Sequence, residues 1–188
     1  RTDSGILYDI TNKKKEKENQ MQQINIEAKE GNLLSIKAPW NPLFIEELKK
    51  LHGKWDPDEK VWTVNDFAQE QLNVAIRRVF GNISGSAIET VKCSVVSEIK
   101  QEKTAITFLG KVIAAAKDKN TKMHHDDEVI YTIGEPTAGG SKKHWYSIVP
   151  DGSEFILHDV PVDLYEEYMS GAGIYAPYHE NITIKEKG

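Results

Sequence analysis

The stretch 33–81 constrains the fold of this chain most, because it contains two strand patterns and two helix patterns, each followed by a stop signal. Leu34 and Ile36 alternate with polar residues, which predicts a half-buried strand that Pro39 ends. Asn41 then predicts a helix N-cap, because a proline occupies the first helical position after it. These signals together predict an ordered fold unit.

The remainder of this stretch follows the same logic. The first helix is predicted over 42–51, with Gly53 as its C-terminal glycine. Two short strand arms flank a turn at 56–59, where proline holds the second position. Asp66 is predicted to cap a second helix that runs to about residue 80 and stops at Gly81. The buried face of that helix is predicted to consist of Leu72, Ala75, Ile76 and Val79.

The residues before this stretch supply a tail and one more strand. Residues 1–21 are polar and rich in lysine, so we interpret them as a flexible tail or as a helix that docks on a partner; vector-derived residues are one explanation of their composition. Residues 23–29 alternate like a strand, and Gly31-Asn32 predicts a hairpin to the next strand. We therefore expect residues 22–83 to form a first domain, a small sheet with two helices on one face.

The order and residue types of this domain resemble the HARP domain of annealing helicases. The shared features are a strand and helix, then Trp55-Asp56-Pro57, then Trp62 with Val64 two positions on. The resemblance covers about 50 of the 188 residues. It implies a HARP-like α+β fold and contact with branched or single-stranded DNA. The chain also resembles small uncharacterised proteins of plasmids and phages, which implies an origin in a mobile element.

Residues 84–188 have a different residue pattern, mostly short strand patterns separated by turns, and are predicted to form a second domain. Strand patterns occur at 90–100, 104–109, 128–133, 144–149, 154–158 and 182–184. One short helix is predicted at 162–169, and a long loop at 134–145. Residues 111–117 fit a short helix or a second strand, and their alanines favour the helix. The expected fold class is α+β, with a mostly antiparallel β-rich second domain.

Composition excludes several classes of protein. The single cysteine, Cys93, excludes an internal disulfide and any cysteine-based zinc site. No run approaches the roughly 20 apolar residues of a membrane span, and the first residues lack the pattern of a signal peptide. We therefore expect a protein of the cytoplasm with no membrane partner. Its net charge of −5 counts against tight binding of duplex DNA, because such affinity comes largely from phosphate neutralisation.

Two basic segments are candidates for nucleic-acid or anion binding. The first consists of Lys49, Lys54, Arg77 and Arg78, which would contact a DNA strand laid across the helix faces. The alternative is a solvated surface whose charges compensate the dipoles at two helix ends. The second consists of Ser141, Lys142, Lys143 and Trp145, following a Gly139-Gly140 pair whose amides would form an anion nest. The alternative there is a mobile hairpin loop.

Other patterns point away from catalysis. Cys93 alternates with valines and is predicted to be a buried small hydrophobe, and no serine occupies a nucleophile elbow. The run 124–128 contains two histidines and three acidic residues, but its spacing matches no known metal motif and favours a polar loop. We therefore expect no enzymatic activity, no cofactor and no metal. Trp40, Trp55 and Trp62 either stack on bases or pack in the core, and the core is favoured for Trp62.

Two functional hypotheses remain. The first is a non-catalytic, nucleic-acid-associated accessory protein of a mobile element that binds single-stranded or branched DNA weakly. The second is an acidic protein-interaction or inhibitor module that acts on a nucleic-acid enzyme as a DNA mimic, because acidic residues outnumber basic ones by 29 to 24.

Overall fold

The structure is a computed structural model that describes residues 24–82, 88–120 and 122–187. Within these ranges the chain forms three α-helices and 13 β-strands, and the strands pair antiparallel in small sheets. The predicted α+β class is confirmed. None of the helices in the described ranges is long and apolar enough to cross a membrane.

The chain divides into two compact units. The first consists of Arg1–Trp40, of which residues 24–40 are described, and Glu47–Leu72. The second consists of Asn41–Glu46 and Asn73–Gly188. The predicted domain boundary near residue 84 falls among residues 83–87, outside the described ranges, and so does the predicted tail. Both stay predictions.

The first unit contains a four-stranded sheet with the strand order β1-β2-β4-β3. Its strands are β1 (Asn25–Lys29), β2 (Leu33–Lys37), β3 (Lys54–Asp56) and β4 (Val61–Asn65). The predicted hairpin between β1 and β2 is confirmed. Gly31 and Asn32 both have positive φ angles, of 81° and 59°, which these two residue types adopt most readily.

Helix α1 (Pro42–Lys50) begins as the sequence predicts and ends differently. The Asn41 side-chain oxygen accepts hydrogen bonds from the amides of Leu43 at 3.0 Å and Phe44 at 3.4 Å, which confirms the cap. At the other end His52, not Gly53, adopts the left-handed conformation, with φ of 56°. The Gly53 amide then donates to the Leu48 carbonyl at 2.8 Å. Glycine is needed at 53 because a Cβ there would lie 2.7 Å from the same carbonyl oxygen.

Helix α2 (Gln69–Phe80) follows a turn of 3₁₀ helix at Asp66–Ala68. The predicted cap at Asp66 is wrong, because Asp66 already lies in this turn. Asn65 has the extended backbone of a cap, and its side-chain oxygen accepts from the Phe67 amide at 3.4 Å. The predicted apolar face is confirmed, since Leu72, Ala75, Ile76 and Val79 are all buried. Gly81 ends the helix with φ of 76°.

Besides residues 42–46 of α1 and 73–80 of α2, the second unit holds the remaining strands and one further helix. These are β5 (Ile88–Val95), β6 (Ile99–Glu102), β7 (Ile106–Phe108), β8 (Lys111–Ala114), β9 (Val129–Ile133), β10 (Thr137–Gly140), β11 (Trp145–Val149), β12 (Glu154–Pro161), α3 (Val162–Met169) and β13 (Ile182–Lys187). They form the sheets β13-β5-β12-β9 and β10-β11-β6 and the hairpin β7-β8. The predicted alternation around Cys93 is confirmed, and burial raises the pKa of its thiol.

Of the two alternatives at 111–117, the favoured helix is wrong and the strand is correct, because this segment begins with strand β8. Leu109 and Gly110 have φ angles of 47° and 83°, and they turn the chain directly back along β7. Residues 111–116 are buried on both faces. Strand pairing and burial therefore override the helix propensity of the alanines.

Candidate functional site

The eight predicted contact residues are divided between the two compact units. Lys49 and Lys54 belong to the first unit, and the other six belong to the second. All eight side chains are exposed except that of Trp145, which is partly buried. Lys49 lies in the last turn of α1, where its neighbour Lys50 pairs with Glu47 at 2.7 Å.

The first unit presents two tryptophans at the edge of its sheet. Trp55 on the edge strand β3 lies directly opposite Trp62 on β4, with ring centroids 5.7 Å apart and planes inclined by 54°. The Trp55 side chain is 49% exposed. We call Lys54, Trp55 and Trp62 the tryptophan edge.

Trp62 is only partly buried, which corrects its predicted place in the core. Its neighbour on the inner side is Ile36 of β2, which is fully buried, and its neighbour on the outer side is half-exposed Trp55. The reason is the strand order, since β3 has three residues and is the last strand of its sheet. Trp62 therefore joins the core to the exposed ring and supports it.

The turn between β3 and β4 holds the tryptophan edge in place. The Asp56 carboxylate accepts hydrogen bonds from the amides of Asp58 at 3.0 Å and Glu59 at 3.1 Å, which fixes the turn. The Glu59 carboxylate in turn pairs with Lys29, and this hydrogen bond raises the pKa of the Lys29 amine. Strand alternation directs Lys54 to the face opposite Trp55, so the edge offers an ammonium and an aromatic ring on its two sides.

Two further aromatic side chains of the first unit are exposed. Trp40 is 57% exposed, and β2 before it ends at the same end of the sheet as the β3–β4 turn. Phe67 is 81% exposed in the 3₁₀ turn before α2, at the opposite end of β4. The sequence analysis missed Phe67, because no periodic pattern covers a single residue in a cap.

The second candidate, predicted as a loop, forms a hairpin. Gly139 and Gly140 lie in β10 opposite Tyr146 and Trp145 of β11. The Ser141 amide donates to the His144 carbonyl at 2.8 Å, which closes the turn.

Gly140 has φ of 88°, and a Cβ there would overlap the His144 carbonyl oxygen and lie 2.8 Å from the Tyr146 ring. The hairpin therefore accounts for Gly140 without a bound anion, and Lys142 and Lys143 lie exposed in its turn.

Arg77 and Arg78 line a cavity of about 700 Å³ between helices α2 and α3, wholly within the second unit. We call this cavity the helix groove. Its lining residues are Asn73, Val74, Arg77, Arg78, Asp163, Leu164, Glu167, Gly173 and Ile174. The two arginines are recognisable in the sequence as basic residues, but the acidic residues of α3 lie far along the chain and no local pattern connects them to α2.

The histidine and acidic run at 124–128 has a structural role. His124 pairs with Ala115 through two backbone hydrogen bonds, of 2.7 and 3.0 Å. The Asp126 carboxylate accepts from the Val112 amide at 2.7 Å, and burial raises the pKa of this carboxyl. Over the described ranges, no group of three or more His, Cys, Asp or Glu side chains is arranged to hold a metal ion.

Comparison with protein-family models, with curated proteins and with solved structures found no match for this chain. The resemblance to the HARP domain therefore rests only on the residues quoted for it.

Proposed function

We propose that this protein is a non-catalytic accessory protein that binds single-stranded or forked DNA weakly through the tryptophan edge. The observation that carries this proposal is the half-exposed ring of Trp55, which Trp62 supports from the core side at 5.7 Å. Every base offers a face on which an aromatic side chain can stack, so such a ring binds single strands with little sequence preference.

The charges near the edge support weak rather than tight binding. Lys54 adjoins Trp55 in sequence but lies on the other face of β3, and Lys49 is exposed in the same unit, so the edge offers few cations to phosphates. The chain as a whole carries a net charge of −5, which opposes a polyanion. Affinity should therefore depend mainly on stacking and fall only modestly as salt rises, because few lysines contact phosphates.

The resemblance of residues 33–81 to the HARP domain supports the same proposal, because that domain contacts branched or single-stranded DNA in annealing helicases. An origin in a mobile element is part of the proposal and rests on the resemblance to plasmid and phage proteins. We place the protein in the cytoplasm, where its buried free thiol at Cys93 stays reduced.

An electrophoretic mobility shift at low salt, with single-stranded, duplex and forked DNA, tests the proposal. We expect retardation of the single-stranded and forked probes, little retardation of the duplex, and loss of binding in Trp55→Ala. No retardation of any probe would contradict the proposal and favour the acidic inhibitor hypothesis. In that case the protein should bind a basic nucleic-acid enzyme in a salt-sensitive manner.

A further inference from the structure

The helix groove has the size and lining of a small-molecule site. Its volume of about 700 Å³ lies within the range of roughly 300–1,000 Å³ that is usual for ligand pockets. Such pockets combine a mostly apolar lining with a few polar groups that orient the ligand. The groove has this combination, since Val74, Leu164 and Ile174 lie among its charged residues.

The wall formed by α2 suits a phosphate group. Arg77 and Arg78 follow Val74 by three and four residues along the helix, so each lies beside Val74 on the face that lines the groove. The Arg77 side chain is exposed. A guanidinium presents a rigid fork of donors that matches phosphate oxygens, and Val74, at 66% exposed, offers apolar contact beside it.

The opposite wall, formed by α3, suits a hydrogen-bond donor. The Asp163 carboxylate already accepts from the Asn82 amide at 2.7 Å, and one turn later Glu167 is exposed. The following loop passes close to the Glu167 side chain. Gly173 has φ of 79°, and a Cβ at that position would lie 2.8 Å from Glu167 Cγ. Glycine at 173 thus leaves room for the Glu167 carboxylate at the groove.

A ligand that satisfies both walls is anionic at one end, apolar in the middle, and carries an N–H donor at the other end. We propose that the helix groove binds a nucleoside 5′-monophosphate whose base has an exocyclic amine, such as cytosine. Arg77 holds the phosphate, Val74 and Ile174 cover the base, and the Glu167 carboxylate accepts from the amine. The same chemistry is present in a free nucleotide and at the 5′ end of a DNA strand. This site goes beyond the proposed function, because no residue of the tryptophan edge takes part in it.

Titration calorimetry on the full chain tests this proposal with deoxycytidine monophosphate, thymidine monophosphate and unphosphorylated deoxycytidine. We expect saturable binding of the first ligand and about tenfold weaker binding of thymidine monophosphate, since thymine offers no exocyclic amine to Glu167. Deoxycytidine should also bind at least about tenfold more weakly, because it lacks the phosphate. A 5′-phosphorylated tricytidylate distinguishes the two sources: tighter binding of this probe assigns the groove to a strand end, and equal binding assigns it to a free nucleotide.

Variants place the ligand in the groove. Arg77→Ala should weaken the binding of deoxycytidine monophosphate about tenfold or more, and Arg77→Lys should weaken it less. Lys117→Ala, which removes an exposed lysine of the second unit outside the groove, should leave this binding unchanged. Glu167→Gln should remove the preference for cytosine, because an amide also donates to thymine. Trp55→Ala should leave nucleotide binding intact, which separates this proposal from the proposed function. No saturable binding at millimolar ligand, equal affinity for the two monophosphates, or equal effects of Arg77→Ala and Lys117→Ala would overturn it.

Discussion

The hydroxyl of Tyr175 donates to the backbone carbonyl of Val79 at 2.8 Å and accepts from the Gly110 amide at 3.0 Å. Val79 lies in the last turn of α2, where carbonyl groups have no partner within the helix. Gly110 lies in the turn between β7 and β8. Tyr175 is 2% exposed, so one buried hydroxyl joins the end of a helix to a strand turn in the second unit.

Tyr175→Phe should lower the free energy of unfolding by about 1–3 kcal/mol, because it leaves a buried carbonyl and a buried amide without their partner. Denaturant unfolding measures this loss. Tyr146→Phe is the matched control, because the Tyr146 ring lies 4.4 Å from Lys100 Nζ, measured to the ring centroid, and this ring is kept in the variant. Equal stability of Tyr175→Phe and the wild type would show that these hydrogen bonds do not hold the helix end.

Trp62→Ala should cost less than the roughly 3–5 kcal/mol of a buried aromatic truncation, because Trp62 keeps contact with solvent. Phe44→Ala supplies the reference, since Phe44 is 1% exposed. Its ring packs edge-to-face with that of Phe80, with the ring centroids 5.1 Å apart. Midpoints of chemical unfolding compare the two variants. Equal losses would mean that Trp62 belongs to the core and does not serve mainly to support Trp55.

Gly140→Ala should destabilise the β10–β11 hairpin, because the left-handed backbone of Gly140 is strained for alanine and the added methyl meets the His144 carbonyl. We expect a loss of about 1–3 kcal/mol and faster amide exchange along β11. The double change Lys142→Glu with Lys143→Glu lies in the same turn and should leave stability unchanged. Weaker DNA binding by that double variant would nevertheless support the anion site predicted for this segment.

Stability should fall at alkaline pH because several tyrosines are buried. Burial raises the pKa of the Tyr168 hydroxyl to about 12, and it also raises the pKa of Tyr131 and Tyr175. The unfolded tyrosine loses its proton near about pH 10, whereas the folded one retains it. These groups therefore contribute stability below about pH 10 that is lost as pH rises towards 12. Burial lowers the pKa of the Lys111 amine, so this group makes stability rise with pH. We expect the net stability to fall, because one amine is outnumbered by several buried tyrosines.

Urea unfolding from about pH 8 to about pH 11 checks this dependence. We expect a falling free energy of unfolding above about pH 9 and a flatter fall in Tyr168→Phe. The curve of the variant should have a smaller slope, because the variant lacks the titrating phenol of Tyr168. It should also lie lower, because Tyr168 donates a hydrogen bond to the Ile182 carbonyl at 2.7 Å that the variant loses. Parallel curves would show that Tyr168 does not contribute to the pH dependence.

The elements that the sequence predicts well are those with local causes. Asn41 caps α1 through amides two and three residues away, and Gly81 ends α2 within its own turn. Alternation around Cys93 indicates β5 because burial on one face of a strand repeats every two residues. In each case the residues that decide the structure are neighbours in the chain.

The features that sequence reasoning missed depend on partners far along the chain. Strand β8, only the less favoured of two alternatives in the sequence, forms because β7 pairs with it, against the preference of its alanines. The helix groove needs Glu167 of α3 beside Arg77 of α2, and only packing brings residues of such separate segments together. Trp62 is less buried than predicted because its sheet ends at β3, and strand order is not visible in a periodic pattern.

The most direct test of the proposed DNA binding is fluorescence anisotropy with a labelled oligothymidylate of about 15 nucleotides at low salt. Trp55→Ala should weaken binding by about 5- to 150-fold, the equivalent of the 1–3 kcal/mol of a stacked base, while Trp55→Phe should retain most of the affinity. Phe67→Ala, which removes an exposed aromatic ring at the other end of β4, should bind like the wild type. Equal affinity of Trp55→Ala and the wild type would contradict the account.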